Sequence, residues 1–118
     1  MTTTLWERDI NINESIRRHD INVDAYIAVT QRRKTIYLEA EVNGMGERIQ
    51  LTPGKVCLNI PIGGPLMLGV CAKDADINNG TLRCTVEAEP CVELRFFSVC
   101  GGTRTYEIQV DVDVERLD

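Results

Sequence analysis

A chain of 118 residues with a formal net charge of -5 is long enough to bury a core without a metal or a disulfide to hold it. The acidic balance speaks against a nucleic-acid surface, which needs a concentrated basic patch. No stretch approaches the ~18 apolar residues of a membrane helix, so neither nucleic acid nor membrane is expected as a partner.

Residues 1–18 are the least regular part of a chain that otherwise reads as one domain over 1–118. Ile10 and Ile12 alternate with Asp9, Asn11 and Asn13, as in a short edge strand. Asn13–Arg18 also has the form of one helical turn capped by Asn13, and any helix belongs here. The first residues carry neither a basic n-region nor an apolar h-region, so no signal peptide is expected.

From Asp20 the period is two. Ile21, Val23, Ala25, Ile27 and Val29 share one face of a strand, and Gln31–Lys34 reads as a charged turn. Ile36, Leu38, Ala40 and Val42 form the next inward set, and Asn43-Gly44-Met45-Gly46 turns the chain. Ile49 and Leu51 continue inward, Pro53-Gly54 turns again, and Val56, Leu58 and Ile60 follow. Gly63-Gly64-Pro65 interrupts an uncharged stretch, leaving Leu66–Ala72 as a run of apolar residues with one glycine. Such a run has no wet face, so it is expected at the centre of a sheet and covered on both sides. Asp74–Gly80 reads as a polar loop, and Leu82, Cys84, Val86 and Ala88 point inward after it. Parity then suggests a loop at Glu89-Pro90-Cys91, with Leu94 and Phe96 inward beyond it. A second loop at Gly101-Gly102-Thr103 leads to a last strand with Tyr106, Ile108, Val110, Val112 and Val114 inward. About eight short strands without strand–helix–strand alternation predict an antiparallel β-sandwich, with a small closed β-barrel as the alternative. Aromatic residues are few, so the core should be aliphatic.

Chemistry-bearing patterns are sparse. Asp74, Asp76 and Asn78 place oxygen ligands two residues apart, the spacing a calcium loop uses. The stretch misses the EF-hand pattern, with Asn79 where glycine belongs and Thr85 where glutamate belongs, and it reads better as a hairpin loop of good turn formers. Calcium is the one cofactor this spacing suggests. Glu107, Asp111, Asp113 and Glu115, with Glu39 and Glu41 near them, make an acidic ladder that suits a basic partner or guards a sheet edge. The five cysteines, an odd count at irregular spacing, do not resemble a disulfide framework; mostly free thiols and a cytoplasmic location are expected. Cys84 and Cys71 read as core residues, and Cys91 and Cys100 as turn or strand-end residues. His19 is the only histidine, which nearly closes histidine-based metal and nucleophile schemes. Two basic clusters, Arg17-Arg18-His19 and Arg32-Arg33-Lys34, fall at opposite ends of the first long strand.

The sequence therefore favours a non-catalytic binding or protein-interaction module that self-associates as a homo-oligomer. Leu66, Leu68 and Val70 of the doubly apolar strand and Glu107, Asp111 and Asp113 of the acidic ladder are its candidate interaction residues. A barrel binding an apolar ligand, lined by Met45, Met67 and the aromatics, is the alternative. A small enzyme using carboxylates or a cysteine is the third reading, and no catalytic residue is assigned.

Overall fold

Alternation at period two runs through nearly the whole chain, and the backbone answers it with strands. A computed structural model describes residues 2–113, which hold nine strands and no helix. They are β1 (Thr2–Ile16), β2 (His19–Arg32), β3 (Thr35–Val42), β4 (Met45–Gln50), β5 (Val56–Gly63), β6 (Leu66–Asn78), β7 (Thr81–Glu93), β8 (Ser98–Cys100) and β9 (Arg104–Asp111). β1 to β4 form one antiparallel sheet in chain order. β5 to β9 form the other, with β8 and β9 both paired to β7. The sheets pack face to face as a sandwich and do not close into a barrel. The chain passes between them once, through Leu51–Lys55, where the Leu51 N–H donates to the Ile36 carbonyl at 2.8 Å.

The helical turn considered for Asn13–Arg18 is instead the end of β1. Ile10, Ile12 and Ile16 keep the period of two and are buried, and β1 pairs with β2 along its length. Arg17 and Arg18 make the connecting turn, both at positive φ (49° and 69°). The same geometry serves Asn43-Gly44 and Asn79-Gly80, whose residues suit it. Gln31 is not part of a turn either. It ends the inward run of β2 at 1% exposure, and only Arg33 and Lys34 turn the chain. The 14 residues of β2 separate the two basic clusters, which lie at its opposite ends.

One aliphatic core fills the space between the sheets. Ile12, Ile21, Ile27 and Leu38 from the first sheet meet Ile60, Leu68, Val70, Leu82 and Val86 from the second. Full burial of each such side chain favours folding by roughly 1.5–3 kcal/mol. No aromatic residue belongs to the fully buried set. Trp6 instead packs at the rim beside Tyr106, with ring centroids 5.6 Å apart and the Arg8 guanidinium over both rings.

Two polar ties join the sheets. Gln31 Nε2 donates to the Arg33 and Asp113 carbonyls, and its Oε1 accepts from the Asp113 N–H at 3.0 Å. Glu14 of β1 accepts from the Gly102 N–H at 2.9 Å and pairs with Arg104 at 3.5 Å. A side chain at Gly101 would meet that carboxylate, which would have to swing away from the Gly102 N–H to make room.

β7 overturns the loop expected at Glu89-Pro90-Cys91. It runs unbroken through all three residues, with Pro90 buried opposite Leu68. Proline is rare inside a sheet because it lacks a ladder donor. Here its partner strand is itself interrupted: β9 pairs only to Ala88 and β8 begins opposite Cys91. Gly101 bridges the gap, donating its N–H to the Pro90 carbonyl at 2.8 Å. Phe96 consequently does not point inward. It stands in the β7–β8 turn, and β9 pairs with β7 in its place. Val114 and Glu115 lie outside the described residues.

Candidate functional site

The outer face of the second sheet is where the chain's less common side chains gather. Leu58, Ile60, Leu68, Val70, Ala72, Ala88 and Val92 all point to the core. Alternation then sends Cys57, Asn59, Met67, Gly69, Cys71, Glu87, Glu89 and Cys91 outward. β5 sets Cys57 directly opposite Cys71, and β8 sets Cys100 directly opposite Cys91. Both pairs are disulfides, with Cα atoms 4.1 and 4.0 Å apart. This corrects the expectation of mostly free thiols: four of the five cysteines are paired, and Cys71 is an outer-face cystine rather than a core residue.

The same arrangement answers what covers the second side of Leu66–Ala72. β6 does lie inside its sheet, between β5 and β7. Its outward residues are Met67, a glycine, and a cysteine tied to its neighbour, all half-buried. A missing side chain and a cross-linked one leave Met67 as the one long apolar side chain on that side, and it lies half-buried against the sheet. Gly69 floors a depression of about 360 Å³ edged by Cys57–Cys71, Cys91, Glu87 and Glu89. The Glu87 carboxylate pairs with Lys73 at 3.1 Å, while Glu89 accepts from the Thr103 hydroxyl at 2.9 Å. Carboxylate Glu89 and the sulfurs of Cys91 and Cys100 lie within 4.8 Å of one another.

Beyond Cys91 and Cys100 the hairpin ends in Leu94–Phe97. The Leu94 N–H donates to the Phe97 carbonyl at 2.8 Å, fixing a tight turn. Leu94 packs against the core, whereas Phe96 is 86% and Phe97 57% exposed. The Arg95 guanidinium sits 5.3 Å from the Phe96 ring centroid. Two bare aromatic rings are thus presented on a cross-linked hairpin.

The other sequence candidates fall in separate places. Leu68 and Val70 are fully buried between the sheets, so they pack the core and offer nothing to a partner; Leu66 is half-buried. Asp74, Asp76 and Asn78 are not in a loop. β6 continues through them, with a bulge at Asp74, whose φ is 56°, and the turn is Asn79-Gly80 alone. Asp74 lines a depression with Arg83 and Glu107, and Asp76 lines another with Lys34 and Pro53. Glu107, Asp111 and Asp113 are exposed along the edge formed by β9. Glu39 and Glu41 belong to β3 of the other sheet and do not extend that ladder.

Burial pushes the Cys84 thiol up to about 11, away from the thiolate a nucleophile needs. His19 opens β2 in the first sheet, and all five cysteines lie on strands of the second. On the outer face of the first sheet Tyr26 donates its hydroxyl to Glu7 at 2.8 Å. That bond, then burial and the charges of Glu7, Glu39 and Asp9, raise its pKa to about 12. No helix among the described residues is long and apolar enough to cross a membrane. Comparison of the chain with protein-family models, with curated proteins and with solved structures finds no match in any of the three.

Proposed function

We propose that the protein is a non-catalytic binding module that self-associates through the Arg95-Phe96-Phe97 hairpin tip. The carrying observation is the pair of rings at 86% and 57% exposure, on a turn braced by a disulfide and a backbone hydrogen bond. Rings that contribute nothing to their own core are costly to leave in water, and a rigid turn loses little freedom on docking. Aromatic and arginine side chains are the residue types that anchor interfaces. Among the described residues, Tyr26 and Cys84 have displaced pKa values, and both are shifted away from the ionised, reactive form, which favours binding over catalysis. Paired cysteines on an outer sheet face favour an oxidising compartment over the cytoplasm suggested by cysteine count alone.

Light scattering across a concentration series tests the reading. The wild type should gain mass with concentration, and the Phe96→Ser/Phe97→Ser variant should remain a monomer with unchanged thermal stability. A wild type that stays monomeric throughout overturns self-association.

A further inference from the structure

We propose that Glu89, Cys91 and Cys100 form a zinc site that opens when the Cys91–Cys100 disulfide is reduced. Alternation along β7 puts Glu89 and Cys91 on one face, and β8 places Cys100 across from Cys91. Their ligand atoms already lie within 4.8 Å of one another. Two thiolates each about 2.3 Å from a tetrahedral ion sit about 3.8 Å apart. Side-chain rotation on a Cα pair 4.0 Å apart supplies that separation without moving the backbone.

The pairing of Val92 with Val99, and the Gly101 N–H to Pro90 carbonyl bond at 2.8 Å, hold the strands together independently of the sulfur bond. Thr103 donates to one Glu89 oxygen at 2.9 Å, which orients the carboxylate and leaves its other oxygen for the ion. Sulfur, sulfur and oxygen are a donor set zinc accepts, with the fourth position open to water. The second cystine does not offer the same site. Its neighbouring carboxylate, Glu87, is already paired with the Lys73 ammonium at 3.1 Å.

Cys100 is exposed, so a reductant reaches the bond. One thiolate of a dithiol attacks a sulfur and the other cysteine leaves as thiolate. The dithiol's second sulfur then resolves the mixed disulfide and departs as a cyclic disulfide. The protein gains two electrons and two protons, and zinc displaces those protons from the thiols as it binds. The site goes beyond the binding role proposed above and does not depend on it.

The test is zinc titration of the full chain against a chromogenic chelator, before reduction and after treatment with a dithiol that is then removed without air. Native mass spectrometry counts the ions, and circular dichroism checks the fold. One zinc per reduced chain and none per oxidised chain is expected. Cys57→Ser/Cys71→Ser should keep that stoichiometry, Cys91→Ser/Cys100→Ser should lose it, and Glu89→Gln should weaken binding at least tenfold. If the double serine variant misfolds, a thiolate-to-cobalt charge-transfer band in reduced, cobalt-loaded wild type reports the sulfur ligands instead, and its absence overturns the proposal. So do a reduced chain that unfolds or binds no zinc, binding that survives in folded Cys91→Ser/Cys100→Ser, and full affinity in Glu89→Gln.

Discussion

Replacing Gln31 with leucine separates a polar tie from mere packing. Gln31 is 1% exposed, and its amide makes three hydrogen bonds: to the Arg33 carbonyl at 3.2 Å, to the Asp113 carbonyl at 3.0 Å, and from the Asp113 N–H at 3.0 Å. Leucine fills a similar volume but makes none of these. At about 1 kcal/mol net per bond, the loss is about 3 kcal/mol. The gain from burying a more apolar side chain offsets roughly 1 kcal/mol of this. Asp113 is exposed at its side chain, so water re-solvates part of what is lost. The expected net destabilisation is therefore about 1–2 kcal/mol. Urea unfolding followed by circular dichroism reads it as a lower midpoint at unchanged slope. A Gln31→Leu protein within about 0.3 kcal/mol of wild type would show that the sheets are held here by burial alone.

Two further tests probe the first sheet. Arg17 and Arg18 occupy a left-handed turn at φ 49° and 69°, costing roughly 1–2 kcal/mol per residue for an ordinary side chain. Arg17→Asn/Arg18→Gly should raise stability by about 1 kcal/mol after glycine's extra chain entropy, a Tm gain of about 4 °C by calorimetry; an unchanged or lower Tm refutes the strain. Tyr26 should ionise near 12 in ultraviolet titration, and Glu7→Gln should bring that value back toward 10. Because the folded pKa is raised, the neutral phenol's stabilisation is complete below pH 10 and fades as pH rises from 10 to 12. A Glu7→Gln protein that still ionises near 12 would put burial, not the hydrogen bond, first.

Alternation made the inward faces of β2, β3, β5, β7 and β9 legible, because a residue's side of a strand depends only on parity. Asn43-Gly44 and Asn79-Gly80 were legible for a local reason too, since their residues favour positive φ. Arg17-Arg18 carries no turn chemistry, and the strand it ends was only partly visible. The cystines needed register, which depends on where each turn lies. Cys57 and Cys71 are spaced evenly about Gly64, so the turn read at Gly63-Gly64-Pro65 was enough to pair them, whereas Cys91 and Cys100 are spaced about Arg95-Phe96, where no turn was expected. Parity was satisfied by an odd-numbered loop at Glu89-Pro90-Cys91, which hid that pairing and sent Phe96 inward. Gln31 was lost among its charged neighbours, and its partner Asp113 is 82 residues away, beyond any local pattern.

The single passage between sheets has a consequence for how the protein is made. Every pairing of the first sheet lies within Thr2–Gln50, so that sheet is complete in sequence before any strand of the second has been synthesised. Its inner face of Ile12, Ile27, Val29 and Leu38 then has nothing to rest on. At ribosomal rates of roughly 5–20 residues per second, the missing half arrives some 3–12 seconds later. In that interval the nascent chain is half a sandwich with an oily underside, and the client of a chaperone or of its neighbours on the same polysome. Delaying β5 with slow codons should lengthen that interval and lower the soluble yield, although the finished molecule would be identical.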